Sequence, residues 1–139
     1  MKLSTRGKYA LYTMVYLAQK AGDGPQSLKG ITQNILLPEN YIEHLLGSLR
    51  RYGLVKTVRG AQGGYELAKP MEEITVGDIF DATEGKLNLS DCLSDDAVPC
   101  PKSSSCPTRG VWEYLTCSIN KLFNSISLKD MLENNVKEI

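Results

Sequence analysis

The sequence has little or none of several features on which particular protein classes depend. Its single histidine, His44, leaves no workable catalytic triad. No apolar run approaches the roughly 20 residues that span a bilayer, and the N-terminus lacks the apolar stretch and small-residue cleavage site of a secretory signal. We therefore expect a cytoplasmic protein that is not an enzyme. A chain of 139 residues forms one domain, or one domain with a small appendage.

The sequence also has no net charge, yet its charges are divided unequally along the chain. Residues 1–70 hold ten Lys or Arg against four Asp or Glu, whereas residues 71–139 hold six against twelve. A basic half with a net charge of +6 favours contact with a polyanion such as nucleic acid. The alternative is two differently solvated surfaces, and charge alone does not separate these interpretations.

Three helices are predicted in the basic half. The first runs from a cap at Ser4 or Thr5 to about residue 20, and the second runs from 28 to about 33 behind a cap at Ser27. The third has Pro38 at its first position and ends at about residue 52, before Gly53. Its apolar side chains share one arc of about 140°, which we expect to pack on the core. They are Tyr41, Ile42, Leu45, Leu46, Leu49 and Tyr52.

The opposite face of the third helix is polar and small, as in a helix that enters the major groove of DNA. It carries Asn40, Glu43, His44, Gly47 and Arg51. A solvated helix face would look the same in isolation, but a glycine-rich β-hairpin is predicted next, at 54–68. Three short helices followed by a hairpin predict a winged helix-turn-helix, a mainly α fold with a small β-wing. No Lys-Ser or Lys-Thr pair follows the glycines, which excludes a P-loop nucleotide site.

In such a fold the polar and basic side chains divide by role. Asn40 and Glu43 can pair with adenine and cytosine edges. Arg59 and Gln62 at the wing tip suit the minor groove, and basic side chains elsewhere suit phosphates. The residues that we predict to contact DNA are Ser4, Arg6, Lys8, Leu28, Pro38, Asn40, Tyr41, Glu43, His44, Arg50, Arg51, Lys56, Arg59 and Gln62.

The acidic half is predicted to hold a helix, an irregular segment and a long helix. A capping box between Thr75 and Asp78 opens a helix to about residue 84, and residues 85–109 are rich in Ser, Pro, Asp and Cys. The long helix, 111 to about 125, carries an apolar stripe that favours a dimer seam, although the stripe could instead pack only on its own chain. The stripe consists of Trp112, Leu115, Ile119, Leu122, Phe123 and Ile126. A second capping box between Ser127 and Asp130 predicts a short final helix.

All four cysteines lie in the acidic half: Cys92, Cys100, Cys106 and Cys117. In a reducing cytosol such a group is more typical of metal or redox chemistry than of disulfides. The spacing of the first three matches neither the C-x2-C knuckle of zinc ribbons nor the C-x2-C-x2-C run of bacterial ferredoxins. Zinc, an iron–sulfur cluster and a redox-sensing thiol pair therefore all stay open. Cys117 lies opposite the apolar stripe, as a bystander or as a fourth thiolate.

Several separate motifs, in order, resemble the Rrf2 family of transcription regulators. They are KLSTRGKYA at 2–10, YIE at 41–43, GLV at 53–55, VRG at 58–60, GGY at 63–65, ITVGDI at 74–79 and CPTRGVW at 106–112. The resemblance covers nearly the whole chain. It implies a homodimeric winged-helix repressor or activator that binds a pseudo-palindromic operator in double-stranded DNA.

The resemblance also implies a cofactor, because some members of the family are gated by an iron–sulfur cluster. The family cysteines correspond to Cys92, Cys100 and Cys106, and we expect a 2Fe–2S cluster, with 4Fe–4S as the alternative. A histidine supplies the fourth ligand in the iron–sulfur assembly branch, where this chain has Arg109, and an acidic residue supplies it in the nitric-oxide branch, where this chain has Lys8. Neither cation ligates metal. The fourth ligand stays open among Cys117, Asp91, Glu43, His44 and a small exogenous ligand.

The expected organisation is a DNA-binding domain at 1–70, a linking helix with a cysteine-rich loop at 71–110, and a dimerisation helix with a C-terminal tail at 111–139. The first hypothesis is a regulator whose operator binding is modulated by an iron–sulfur cluster. The second keeps DNA binding and makes the cysteines a thiol switch or a zinc site. The third, a small electron-transfer or thiol oxidoreductase protein, is disfavoured by the wing and by the lack of a C-x-x-C motif.

Overall fold

The computed structural model describes residues 2–136, which form a mainly helical fold with one two-stranded antiparallel sheet. The helices are α1 (Thr5–Gln19), α2 (Leu28–Ile35), α3 (Glu39–Arg51), α4 (Val76–Glu84), α5 (Arg109–Asn124) and α6 (Leu128–Leu132), and the strands are β1 (Val55–Val58) and β2 (Gly64–Leu67). Short 3₁₀ turns lie at Met71–Glu73 and Asp91–Leu93. The predicted winged helix-turn-helix with a long C-terminal helix is confirmed. Within the described residues, no helix has the length and apolar character that crossing a membrane requires.

The helices begin where their caps were predicted. Ser4 Oγ accepts a hydrogen bond of 3.1 Å from the Gly7 N–H, and Ser27 Oγ accepts one of 3.0 Å from the Gly30 N–H. Both predicted capping boxes are formed, at the starts of α4 and α6. These side chains satisfy backbone N–H groups that the first turn of a helix leaves without partners, and so they fix where each helix starts.

The turn between α2 and α3 differs slightly from the prediction. The second helix continues two residues beyond residue 33, to Ile35, and its C-cap Leu36 adopts a left-handed conformation with φ of 59°. Pro38 caps α3 from outside, because its ψ of 141° is extended and not helical. The expectation that Pro38 is the first helical residue is therefore wrong by one position.

The wing is held to the body by its second strand. Strand β1 pairs with β2 from Val55 opposite Leu67 to Val58 opposite Gly64. The Gln26 N–H donates to the Tyr65 carbonyl at 2.9 Å, and the Tyr65 N–H donates to the Gln26 carbonyl at 2.8 Å. A Cβ at Gly64 would lie 2.2 Å from the Gln26 carbonyl oxygen, so only glycine allows this close approach.

One hydrophobic core is shared by both halves of the chain. It combines side chains of α1, α2, α3, α4 and α6 with those next to β1 and α4: Ala10, Met14, Leu17, Ala18, Ile31, Ile42, Leu45, Leu46, Leu49, Leu54, Val55, Ile74, Ile79 and Leu128. The core therefore crosses the expected boundaries at residues 70 and 110. Of the arc predicted to face it, Tyr52 is 46% exposed, because it caps the end of α3 where the chain already turns away.

The long helix α5 lies largely outside this core. Thr116 is its only residue that the structure describes as buried. Its C-terminal end is anchored to α4, where the ring of Phe123 lies 5.3 Å from that of Phe80. Gly77 permits the anchor, since a Cβ there would lie 2.0 Å from Asn124 Oδ1. The N-terminal half of α5, together with the irregular segment before it, thus projects from the body.

Candidate nucleic-acid interface and cysteine segment

The polar face of α3 is presented to solvent. Its apolar arc is buried, with Ile42, Leu46 and Leu49 all at 0% exposure. On the opposite side Asn40, Glu43, His44 and Arg51 are exposed. Because the buried arc fixes the rotation of the helix, these four side chains point outward together. Helix α3 therefore presents hydrogen-bonding groups along one exposed face.

Two arginines, one on α1 and one on α3, share a hydrogen-bond partner that the sequence did not single out. The Nη2 atoms of Arg6 and Arg51 donate to the Ser48 hydroxyl at 2.8 Å and 3.2 Å. Ser48 is buried at 5% exposure. A serine inside a helix gives no sequence signal, since a solvated serine would look identical. The structure places these two cations side by side at the edge of the exposed face.

The wing tip presents its two predicted residues to solvent. Arg59 and Gln62 are both exposed in the loop between β1 and β2. Lys56, predicted to contact phosphate, forms an ion pair of 3.2 Å with Glu66 on the opposite strand. This pairing offsets part of its charge, which leaves Arg59 as the wing cation without a described ion pair.

Several other residues predicted to contact DNA also cap helices or pack against the core. Ser4 caps α1, and its hydroxyl donates to the Glu84 carboxylate. Tyr41 is half-buried and packs edge-on against Tyr9, with ring centres 6.0 Å apart. Leu28 is half-buried against the core, and Pro38 and Arg50 are exposed at the two ends of α3.

Lys8 lies on a different side of α1 from Arg6. Two residues along a helix correspond to a rotation of about 200°. Lys8 lines a surface depression together with Leu11, Tyr12 and Met131. The structure therefore separates these two cations, which the sequence grouped together.

The cysteine segment, 85–108, is irregular and contacts α5 at its beginning. The Asn120 amide Nδ2 donates to the Leu87 carbonyl at 3.2 Å, and the Leu89 N–H donates to the Thr116 hydroxyl at 3.3 Å. These two bonds hold the first residues of the segment along α5, three residues before Cys92. The sequence did not predict this attachment, because Thr and Asn on a helix are ordinary surface residues.

The thiols differ in their surroundings. Cys92 and Cys106 are half-buried, whereas Cys100 and Cys117 are exposed. Cys92 lies 3.2 Å from the Ser90 hydroxyl. Cys106 Sγ lies 3.3 Å from the Thr108 hydroxyl, and this hydrogen bond, helped by the Thr108 and Arg109 backbone, lowers the pKa of the Cys106 thiol.

The cysteines suit an iron–sulfur cluster in chemistry, since soft thiolates are its usual ligands. Their arrangement is open: no group of three ligating side chains is assembled within the described residues. Arg109, at the position where a histidine ligand was considered, forms an ion pair of 2.8 Å with Glu113. The segment thus supplies suitable ligands without a preformed cage.

Taken together, the exposed α3, the glycine-tipped wing and the helices beneath them define a winged-helix DNA-binding protein. The Rrf2 family, described as iron-dependent transcriptional regulators, matches residues 3–134. The chain belongs to this family and is a DNA-binding transcription regulator.

Individual relatives agree with this assignment. The chain is 39% identical over 131 residues to the HTH-type transcriptional regulator CymR of Bacillus subtilis (strain 168), covering 94% of this chain and 89% of the relative. The solved structure of T. potens IscR is similar with a TM-score of 0.78 and 42% identity, covering 97% of this chain and 88% of that one. The oxidized form of Staphylococcus aureus CymR gives a TM-score of 0.70 and 35% identity, covering 100% and 98%. These relatives are named as transcriptional regulators and not as enzymes.

Proposed function

We propose that the protein is a homodimeric regulator whose operator binding is modulated by an iron–sulfur cluster held by Cys92, Cys100 and Cys106. The observation that carries this proposal is the attachment of the cysteine segment to α5 through Thr116 and Asn120. A change in the conformation of the segment would therefore act directly on α5, the helix that we assign to the dimer seam.

The dimer seam is inferred from the exposed apolar stripe of α5. Trp112 and Leu115 are each 38% exposed, and Leu122 is 39% exposed. A second copy of the chain would remove these side chains from water, which is favourable by about 25 cal/mol per Å² of apolar surface. A two-fold axis along this seam would present two α3 helices to a pseudo-palindromic operator, about 34 Å apart.

DNA recognition would divide among three groups of side chains. Asn40, Glu43 and His44 would reach base edges in the major groove, and Arg59 and Gln62 would enter the minor groove. Basic side chains around α3 would contact phosphates. The proposed division of labour follows the chain: residues 1–70 bind DNA, 71–110 hold the sensing segment, and 111–139 dimerise.

The three thiolates would hold the cluster, with the fourth ligand supplied by Cys117, Asp91 or a small exogenous molecule. When bound, the cluster supplies a group sensitive to oxidants and to iron supply. Thr116 and Asn120 keep the start of the segment on α5, so ordering of residues 92–106 shifts the preferred position of that helix and with it the spacing of the two α3 helices.

Anaerobic reconstitution with iron and sulfide tests this proposal. We expect coloured protein, with bound iron and sulfide, whose operator affinity differs from that of the apo form. The variant Cys100→Ser should lose the colour, whereas Cys117→Ser tests the fourth ligand. Colourless protein with unchanged DNA binding would reject the cluster.

A thiol switch or zinc site is the second candidate. All four cysteines are free, and each is at least partly exposed, so oxidants can reach them. The similarity to an oxidized form of a CymR structure adds weight to this candidate. One zinc per chain, or metal-free protein whose DNA binding changes with oxidant, would favour it.

A further inference from the structure

Two arginines from different helices share one buried hydroxyl. Arg6 of α1 and Arg51 of α3 each donate an Nη2 hydrogen to Ser48 Oγ, and the Ser48 hydroxyl donates to the His44 carbonyl at 3.3 Å. A serine hydroxyl has one donor and two acceptor sites, so all three are occupied. Both arginines are exposed residues, whereas Ser48, to which both are bonded, is only 5% exposed. Ser48 therefore fixes two cations at once.

This arrangement places two like charges close together. The two Nη2 atoms are at most about 6 Å apart, because both are bonded to the same oxygen. Among the described residues, no carboxylate forms an ion pair with either arginine. A neutral amide side chain in place of either arginine could link α1 to α3 equally well, without the repulsion between two positive charges. The pair is thus better suited to an anion than to a purely structural bond.

Arg51 lies four residues after Gly47, so the two residues lie on the same side of α3. The Nη1 atom of Arg51 passes 3.6 Å from the place where a Cβ of Gly47 would lie. That is an ordinary van der Waals distance, and the glycine has no side-chain atom there to crowd the guanidinium group. Each guanidinium uses one N–H on Ser48 and keeps other donors for a further acceptor.

We propose that Arg6 and Arg51 grip a single backbone phosphate of DNA and that Ser48 is the residue that positions them. The inference rests on the assignment of α3 as the helix that enters the groove. Guanidinium groups match phosphate oxygens in geometry, and a hydroxyl that holds two of them spares the cost of ordering both on binding. The sequence suggested two separate contacts, and the shared hydroxyl makes them one site.

The salt dependence of DNA binding distinguishes one shared phosphate from two. Binding to a random-sequence duplex of about 30 base pairs is measured by fluorescence anisotropy over a range of KCl concentrations, for wild type, Arg6→Gln, Arg51→Gln and the double variant. Each phosphate contact contributes about 0.9 to the slope of log K against log salt. We expect the double variant to lose about 0.9 per bound chain. A loss of about 1.8 would mean two independent phosphates and would overturn the proposal.

The role of Ser48 is tested by a mutant cycle. We expect Ser48→Ala to weaken binding about five-fold in the wild-type background and less than two-fold in the double-arginine background. Ser48→Thr, which keeps the hydroxyl, should restore most of the affinity. An equal loss in both backgrounds, or no loss in either, would show that Ser48 does not act through the arginines.

Thr83→Val is the matched control. It also removes a buried hydroxyl that bonds the carbonyl four residues earlier, at 3.0 Å, but on α4 and away from any arginine contact. Its salt slope and affinity should equal those of wild type. If Ser48→Ala does not fold, the slopes of the arginine variants still decide the proposal. Wild-type binding that does not fall with salt would instead contradict α3 as the phosphate-lined reading helix, so the two failures are distinguishable.

Discussion

Helices α3 and α5 carry similar apolar stripes but bury them very differently. In α3 the side chains of Ile42, Leu46 and Leu49 are completely buried within their own chain, whereas in α5 Trp112 and Leu115 stay 38% exposed. Both stripes have helical spacing, so the pattern alone does not say what covers them. The difference shows that the stripe of α3 is covered within one chain, whereas part of the α5 stripe is left for the second copy of the chain proposed above.

The difference in packing between α3 and α5 determines which of the two helices a regulatory signal could move. A fully packed α3 keeps its exposed face in one orientation, as the proposed contact with base edges requires. Because α5 is only partly covered, we expect it to shift at a lower energetic cost than α3. The cysteine segment is hydrogen-bonded to this helix, through Thr116 and Asn120.

The largest effect should come from the α3 stripe. Leu45→Ala, at a position that is 1% exposed, should lower the free energy of unfolding by about 3 kcal/mol, because it removes buried apolar surface and leaves a cavity. Urea denaturation measures this loss. Leu36→Ala makes the same deletion at 85% exposure and should change stability by less than about 0.5 kcal/mol. Similar losses at both sites would contradict the described core.

A substitution on the α5 stripe should act on assembly and leave the fold intact. Leu115→Glu should weaken the proposed dimer about 100-fold, since a carboxylate would be buried in an apolar seam. Analytical ultracentrifugation should show monomers with unchanged circular dichroism. Tyr114→Glu adds the same charge at a 73% exposed position off the stripe and should leave the dimer intact. A wild-type monomer, or an unaffected Leu115→Glu dimer, would remove α5 from the seam.

Two glycine-to-alanine substitutions compare how closely the backbone is packed in the wing and in the projecting end of α5. Gly64→Ala should destabilise the wing by about 2 kcal/mol, because its methyl group would lie 2.2 Å from a backbone carbonyl oxygen that cannot move away cheaply. Gly110→Ala, in the projecting end of α5, meets nothing within 4 Å and should stabilise the helix by up to about 1 kcal/mol. Hydrogen exchange at the Tyr65 N–H reports the first effect and thermal unfolding the second. Equal effects of the two substitutions would mean that the wing is not tightly seated.

Local signals in the sequence predicted most of the fold. The caps at Ser4 and Ser27, both capping boxes and the hairpin are formed as expected, since each depends on residues adjacent in the chain. The features that the sequence did not predict depend on distant partners. Ser48 meets Arg6 across 42 residues, and Leu89 meets Thr116 across 27. Neither serine nor threonine reveals in a sequence which side chain it will contact.

The smallest expected effect on stability comes from Asp81 on α4, the helix that packs against both α3 and α5. Burial, reinforced by the neighbouring Asp78 carboxylate, raises the pKa of Asp81, while Lys86 opposes the shift. A raised pKa means that the folded protein binds its proton more tightly, so Asp81 stabilises the fold at acidic pH and this contribution disappears as pH rises through the folded pKa.

Asp81→Asn should therefore raise the melting temperature slightly at pH 7 and flatten its pH dependence on the acidic side. Asp81 is only partly buried, so solvent screening limits the gain to less than about 0.5 kcal/mol. Asp95→Asn removes an exposed carboxylate that pairs with Lys86 at 3.2 Å, and its stability should not rise. A gain from both substitutions would point to general charge repulsion in the acidic half. A gain from Asp81→Asn alone would assign the effect to the burial of this carboxyl on α4 and to its repulsion by Asp78.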